Sequence, residues 1–292
     1  MPSTIGTPAT VAELIKRADQ VLRPSDSSRL DSELLLAHAL GCDRLAVYRD
    51  GNCDVAPDQR LQFEGLVRAR ASGQPVAQLL GTAEFWSLSF HIDANVLIPR
   101  PETELLVATV LDRIPRSHPS MIADLGTGSG AIAVVIALER RNATIIASDL
   151  STAALAVARR NCDIHCVAQV YLLRANWMDA FGEAKFDIIV SNPPYVCAGD
   201  PLLSSSAIRF EPSLALVGGD DGLDALRELV AQATVHLKPG GCLLVEHGYN
   251  QGAIVRRLFY KQGLQRVTTA PDLAGHERVT FGEMVRAAER FR

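Results

Sequence analysis

From residue 120 onward the chain alternates short, almost wholly apolar runs with segments of helical period. "MIADL", "TIIASD", "VYLLR" and "FDIIVS" are the runs, and helices read through Ala131 to Arg140 and from Ser151 to about Asn161. Strands that are apolar on both faces cannot face water, and strands joined through helices must run parallel, so the pattern predicts a doubly wound α/β sheet covered on both sides. Further on come a helix from Asp221 to about Leu237, a "KPGG" turn, the run "CLLVEH", a helix after Gly252, and "RVTTA" and "RVTFGEM" as final strands. An apolar fraction of 48% over 292 residues is enough for two ordinary cores.

Ahead of this sheet the period is helical. Thr10 followed by Glu13 reads as a capping box before Val11, Leu14, Ala18, Val21 and Leu22. A second helix, "RLDSELLLAHALG", stops at Gly41, and a third opens at Pro57 and Asp58 and stops near Gly73. Next come two short apolar stretches, Phe85 to Phe90 and Val96 to Ile98, parted by the polar "HIDAN"; they predict a β-hairpin bridging two domains. A helix restarts with Pro101 near its first position and Glu102 and Glu104 in its first turn, where acidic side chains suit the helix dipole. The expected divisions are residues 1–78, helical; 79–100, hairpin linker; and 101–292, catalytic.

A formal charge of -4 argues against a protein that grips nucleic acid through its overall field. No run of about 18 apolar residues and no basic-then-apolar leader is present, so no membrane partner and a cytoplasmic location are expected. The six cysteines are scattered rather than densely spaced, as reduced thiols are. Cys162, His165 and Cys166 cluster, but a zinc site needs four ligands and no second pair stands at a suitable spacing; no metal is expected.

The chemistry is concentrated at the strand ends. "DLGTGSG" places Gly126, Thr127, Gly128, Ser129 and Gly130 after the first strand, where bare backbone and the amides of a helix start can receive a ligand. Asp149 ends the second strand about 20 residues on, the place of a carboxylate that takes both hydroxyls of an adenosine ribose; it can equally cap the next helix. Asn176 and Trp177 end the third strand, where an aromatic can stack on adenine or simply close the core. After the fourth strand "SNPPY" follows at Ser191 to Tyr195. Pro193 and Pro194 have no N–H and hold a stiff turn, so this main chain offers acceptors. The Asn192 side-chain oxygen and the Pro193 carbonyl can hold both hydrogens of a substrate NH2 group, and Tyr195 can wall its planar group.

"NPPY" with "DLGTGSG" resembles the amino-methyltransferases that use S-adenosylmethionine. More narrowly, "GTAEFWSLSF", "LIPRPETELLV", "SNPPYV", "FEPSLALVGGDDGLDALREL", "LLVEHG" and "DLAGHERVTFG" resemble the release-factor glutamine methyltransferases, the PrmC or HemK family, along nearly the whole chain. That resemblance implies a helical N-terminal domain, a hairpin linker and a seven-stranded Rossmann-like class I methyltransferase sheet whose last strand is antiparallel; the N-terminal helices are the natural docking place for the protein substrate, though their exposed faces read equally well as solvated surface. It also implies N5-methylation of the glutamine in the Gly-Gly-Gln motif of class I peptide chain release factors, with no direct nucleic-acid partner. Carried over, Gly126 to Gly130 would line the cofactor's methionine and ribose part, Asp149 its ribose hydroxyls and Trp177 its adenine. Asn192 to Tyr195 would hold the target glutamine, with Asn192 also beside the cofactor. The chain departs from the family pattern at Asn176, often Asp or Ser, and at Gln78, often Tyr in "AYLLG". Rival readings are glutamine methylation of a large-subunit ribosomal protein, an adenine amino-methyltransferase acting on nucleic acid, and a non-catalytic binding module. The stretches "FEPSLALVGGDDGLD" and "DLAGHERVTF" favour the release-factor branch.

Overall fold

The computed structural model describes residues 9–285 apart from residues 24 and 206. The chain forms two compact units, one made of the residues up to Gly81 together with Ser205–Phe210, the other of Thr82–Ser204 and the chain from Glu211 on. Among the described residues no helix is long and apolar enough to cross a membrane.

The first unit is helical: α1 (Val11–Val21), α2 (Ser28–Leu40), α3 (Arg44–Arg49), α4 (Pro57–Ala71) and α5 (Val76–Leu80). Thr10 and Glu13 close the expected capping box, each side chain meeting the other's backbone N–H at 3.3 Å. Gly41, at φ 67°, ends α2 in the left-handed region that a side chain resists. Leu14, Ile15, Leu35, Leu36, Phe63 and Val67 make the core. The short helices α3 and α5 were not expected; Asp43 caps α3 by accepting from the Ala46 N–H at 2.7 Å. Within this unit Gln78 Nε2 donates to the Phe210 carbonyl at 2.9 Å.

The second unit opens with the hairpin β1 (Thr82–Phe85) and β2 (Leu88–His91) and continues with α6 (Thr103–Leu111), β3 (Met121–Leu125), α7 (Ala131–Glu139) and β4 (Thr144–Asp149). Next come α8 (Thr152–Ile164), β5 (Val170–Arg174), β6 (Phe186–Ser191), α9 (Asp224–Val235), β7 (Leu237–Glu246), α10 (Gly252–Lys261), β8 (Leu264–Pro271) and β9 (Glu277–Met284). The seven-stranded sheet has the order β5-β4-β3-β6-β7-β9-β8. All pairings from β5 to β7 are parallel, and β9 alone runs against its neighbours, inserted between β7 and β8. Strand order reverses between β3 and β6, so the crevice beyond their carboxyl ends is where a doubly wound sheet binds ligands.

Two expectations are corrected. The hairpin forms inside the stretch read as one strand: Trp86 and Ser87, at φ 55° and 57°, make a two-residue turn with Phe85 opposite Leu88, and Val96 to Ile98 is not a strand. A turn with two positive φ angles is the tight hairpin geometry, here built without the Gly or Asn that normally announces it. "KPGG" lies within β7 as a bulge: Phe186 pairs with Leu237, and pairing resumes at Ile188 with Cys242. The hairpin is tied to the sheet by Asn161, fully buried on α8, whose side chain accepts from the His91 N–H and donates to the carbonyls of His91 and Ser129.

Candidate active site

At the carboxyl ends of β3, β4 and β6 the second unit encloses a cavity of about 370 Å³. Gly126, Thr127, Gly128 and Ser129 line it from the loop after β3, Asp149 from the end of β4, and Trp177 from beyond β5. Asn192 and Pro194 line it from beyond β6. Gly130, Pro193 and Tyr195, expected at the same wall, stand off it.

Gly130 has a different task. At φ 81°, a Cβ there would come within 3.2 Å of the Ala158 Cβ, so the residue lets α7 pack closely on α8. The rest of the loop is held by the strand beside it: Thr127 N–H donates to the Ser148 carbonyl and Gly128 N–H to Asp149 Oδ2 at 2.9 Å. A Cβ on Gly128 would meet nothing within 4 Å, so the loop presents bare backbone to open space. Beneath it, Thr127 Oγ1 donates to Asp124 Oδ2 at 2.6 Å. Asp124 is fully buried, its Oδ1 has no partner among the described residues, and burial pushes its carboxyl up to about 7.

Asp149 accepts from two backbone N–H groups, Gly128 on one oxygen and Ser151 on the other, and burial raises its pKa. Ser151, not Asp149, caps α8, accepting from the Ala154 N–H. The carboxylate is thereby fixed at the cavity wall with lone pairs to spare for hydroxyl donors. Trp177, at φ 53°, lays its ring over Gly126, where a Cβ would sit 3.5 Å from Cζ3, and packs on the core behind as well. Asn176 is oriented by α9, its Nδ2 donating to Glu228 Oε1 at 2.9 Å.

The turn at Asn192 is braced on every side. Ser191 Oγ donates to the Leu125 carbonyl at 2.7 Å. Gly218 lies so near that a Cβ would stand 2.5 Å from the Pro194 carbonyl oxygen, and at Gly222 it would stand 2.4 Å from that of Tyr195. Gln251 Nε2 donates to both the Tyr195 and Gly222 carbonyls. Asn192 Nδ2 donates to Thr103 Oγ1 at 3.0 Å, which leaves its Oδ1 as the free acceptor. Among the described residues no backbone N–H donates to the Pro193 carbonyl.

Three contributors escaped sequence reasoning. Thr103 reads as an ordinary helix start and Glu246 as the end of an apolar strand, yet Tyr195 OH donates to Glu246 Oε1 at 3.2 Å. Glu211 accepts from Arg100 Nη2 at 2.5 Å and from the Ile98 N–H at 2.9 Å, fixing the segment Leu97 to Arg100 that forms one wall. The signal was present in the quoted stretches "LIPRPE", "FEPSLAL" and "LLVEHG", but each partner lies more than fifty residues away.

Comparison with known proteins places this arrangement. The PrmC N-terminal domain model matches residues 13–81 and the methyltransferase small domain model residues 101–204. The release factor glutamine methyltransferase of Xylella fastidiosa strain Temecula1 is 46% identical over 97% of this chain and 98% of its own. That of Escherichia coli K12 is 40% identical over 92% of this chain and 96% of its own. A methyltransferase from Pyrococcus furiosus shares the fold at TM-score 0.53 and 19% identity, covering 75% of this chain and 98% of its own. With two such relatives matched from end to end, and both units accounted for, the chain belongs to the release factor glutamine methyltransferase family.

Proposed function

We propose that this protein transfers a methyl group from S-adenosylmethionine to the side-chain N5 of the glutamine in the Gly-Gly-Gln motif of class I peptide chain release factors. The observation that carries the reading is the Asn192 amide: its Nδ2 donates to Thr103 Oγ1, and its Oδ1 accepts from no group among the described residues, in a proline-stiffened turn that lines the glycine-loop cavity.

The cavity fits the cofactor. Gly126 and Gly128 offer bare backbone in a loop that Thr127 and Ser129 complete, Asp149 offers a fixed carboxylate for ribose hydroxyls, and Trp177 offers an aromatic face for adenine. Bound there, S-adenosylmethionine supplies an electrophilic methyl group on a sulfonium sulfur. The rest of the work falls to the turn. Asn192 Oδ1 and the Pro193 carbonyl accept the two hydrogens of the target carboxamide, which holds its NH2 group in place and orients the nitrogen in line with the methyl group. Tyr195, anchored through its hydroxyl, stiffens the turn from behind. The helical unit docks the protein substrate, with Leu45 and Leu61 among its most exposed apolar side chains, and the work is done in the cytoplasm.

Incubation of the purified protein with labelled S-adenosylmethionine and, separately, release factor, large-subunit ribosomal protein and DNA, followed by mapping of the labelled residue, tests this. Label on the Gly-Gly-Gln glutamine is expected. Label confined to ribosomal protein or DNA rejects it.

A further inference from the structure

Among the described residues Arg100 is the one cation that lines the cavity, against the acids Asp149, Asp224 and Glu228. It sits beside the methyl-acceptor turn: the Thr103 N–H donates to the Arg100 carbonyl at 3.1 Å, and the Thr103 hydroxyl accepts from Asn192 Nδ2 at 3.0 Å. Glu211 anchors it, with Oε1 accepting from Arg100 Nη2 at 2.5 Å and Oε2 from the Ile98 N–H at 2.9 Å. A guanidinium carries several N–H donors in a rigid fork, and here Nε and Nη1 donate to no group among the described residues. The side chain is 33% exposed where that of Glu211 is 2% exposed, so the pair joins a buried anchor to a charge still open to a ligand.

We propose that Arg100, anchored by Glu211, receives the carboxylate of the methionine tail of S-adenosylmethionine. The inference rests on the methyl-transfer reading given above. With the adenosine at Asp149 and Trp177, the sulfonium methyl must face Asn192, and the carboxylate hangs from the sulfur by a short alkyl tether. That tether ends near the wall that Arg100 and Thr103 share. The glycine loop has little to offer an anion, because the N–H groups of Thr127, Gly128 and Gly130 already donate to the Ser148 carbonyl, Asp149 Oδ2 and the Thr127 carbonyl. Three acids around the cavity suit the cofactor's ammonium and sulfonium charges and repel its carboxylate, which leaves the guanidinium as its counter-charge. A fork with free donors matches a carboxylate's geometry, and an anchored fork loses little freedom on binding.

The test uses the full chain and calorimetry with S-adenosylmethionine, its decarboxylated analogue, and methylthioadenosine, which lacks the whole amino-acid tail. Wild type should bind the decarboxylated analogue about 10- to 100-fold more weakly than S-adenosylmethionine, the range a charged hydrogen bond supplies. Arg100→Met alone would strand the buried Glu211 charge, so it is combined with Glu211→Gln, and Glu211→Gln alone is the reference. The gap should persist in the reference and shrink to about threefold or less in the double variant, with methylthioadenosine binding equally to all. Equal affinity for the two ligands in wild type overturns the proposal without any variant. A full gap in the double variant also overturns it and gives the carboxylate to the loop amides. So does a reference that loses the gap with Arg100 still present, since the shape of the wall would then set the preference. Unchanged S-adenosylmethionine affinity in the double variant with a raised KM for release factor overturns it in favour of a protein-substrate contact. If the gap collapses as expected while no release factor is methylated, the carboxylate assignment stands and the functional reading fails.

Discussion

Asp31 and Glu33 of the helical unit are buried, as are Asp124 and Glu246 of the catalytic unit, but their neighbours differ. Asp31 accepts from Arg70 Nε at 2.7 Å and from Ser27, while Glu33 accepts from Arg29 Nε at 2.6 Å and from Tyr48 OH. No cation contacts Asp124 or Glu246 within ion-pair distance among the described residues; each meets a single hydroxyl and leaves one oxygen unpartnered. Burying an acid beside an arginine fixes a fold, since losing either partner strands a charge. Burying it beside a hydroxyl leaves its protonation open, which costs stability and confers reactivity.

The contrast breaks most visibly at the turn itself. Asn192→Ala should lower kcat for release-factor methylation about 10²- to 10³-fold while leaving the unfolding midpoint near that of wild type; a variant with full turnover would move the chemistry elsewhere. In the helical unit the effect should be on stability. Asp31→Ala strands Arg70 and should cost about 3 kcal/mol in urea unfolding.

Glu246→Gln should do the reverse, with a pH signature. The carboxyl binds its proton more tightly folded, at about 7, than its ordinary 4.5. Its contribution to stability is therefore complete below the lower value and lost as pH rises through the upper one. Glutamine loses nothing, so the variant should exceed wild type by about 3 kcal/mol at pH 8 and match it at pH 4. A constant offset across pH would show the acid to be an ordinary structural group. Smaller still, Asp149→Ala should weaken S-adenosylmethionine binding by about 1–3 kcal/mol by calorimetry. Thr10→Ala, a cap in the helical unit, should cost about 1 kcal/mol of stability and nothing in cofactor affinity.

What the sequence discloses follows from how local each cause is. The strands from "MIADL" to "FDIIVS", the capping box at Thr10 and the stop at Gly41 each rest on neighbouring residues, and each stands where it was expected. The hairpin turn at Trp86 and Ser87 was missed because its positive φ angles fall on residues that do not announce a turn, and Trp86 is held by distant acids, its N–H donating to Glu104 and its indole N–H to Glu139. "KPGG" has the composition of a turn but lies inside β7, where β6 supplies partners on either side of it. In the site, glycine loop, Asp149, Trp177 and Asn192 were legible as motifs. Thr103, Glu211 and Glu246 were not, because the partners that give them roles lie more than fifty residues away in the chain.

The insertion of β9 between β7 and β8 has a consequence for biogenesis. During synthesis β7 emerges with one edge bare, and that edge stays unpaired until Val279 meets Glu246 about thirty residues later. Nascent chains interrupted ahead of Glu277 would carry an open template for intermolecular pairing, and chaperone dependence and aggregation should rise steeply in such fragments.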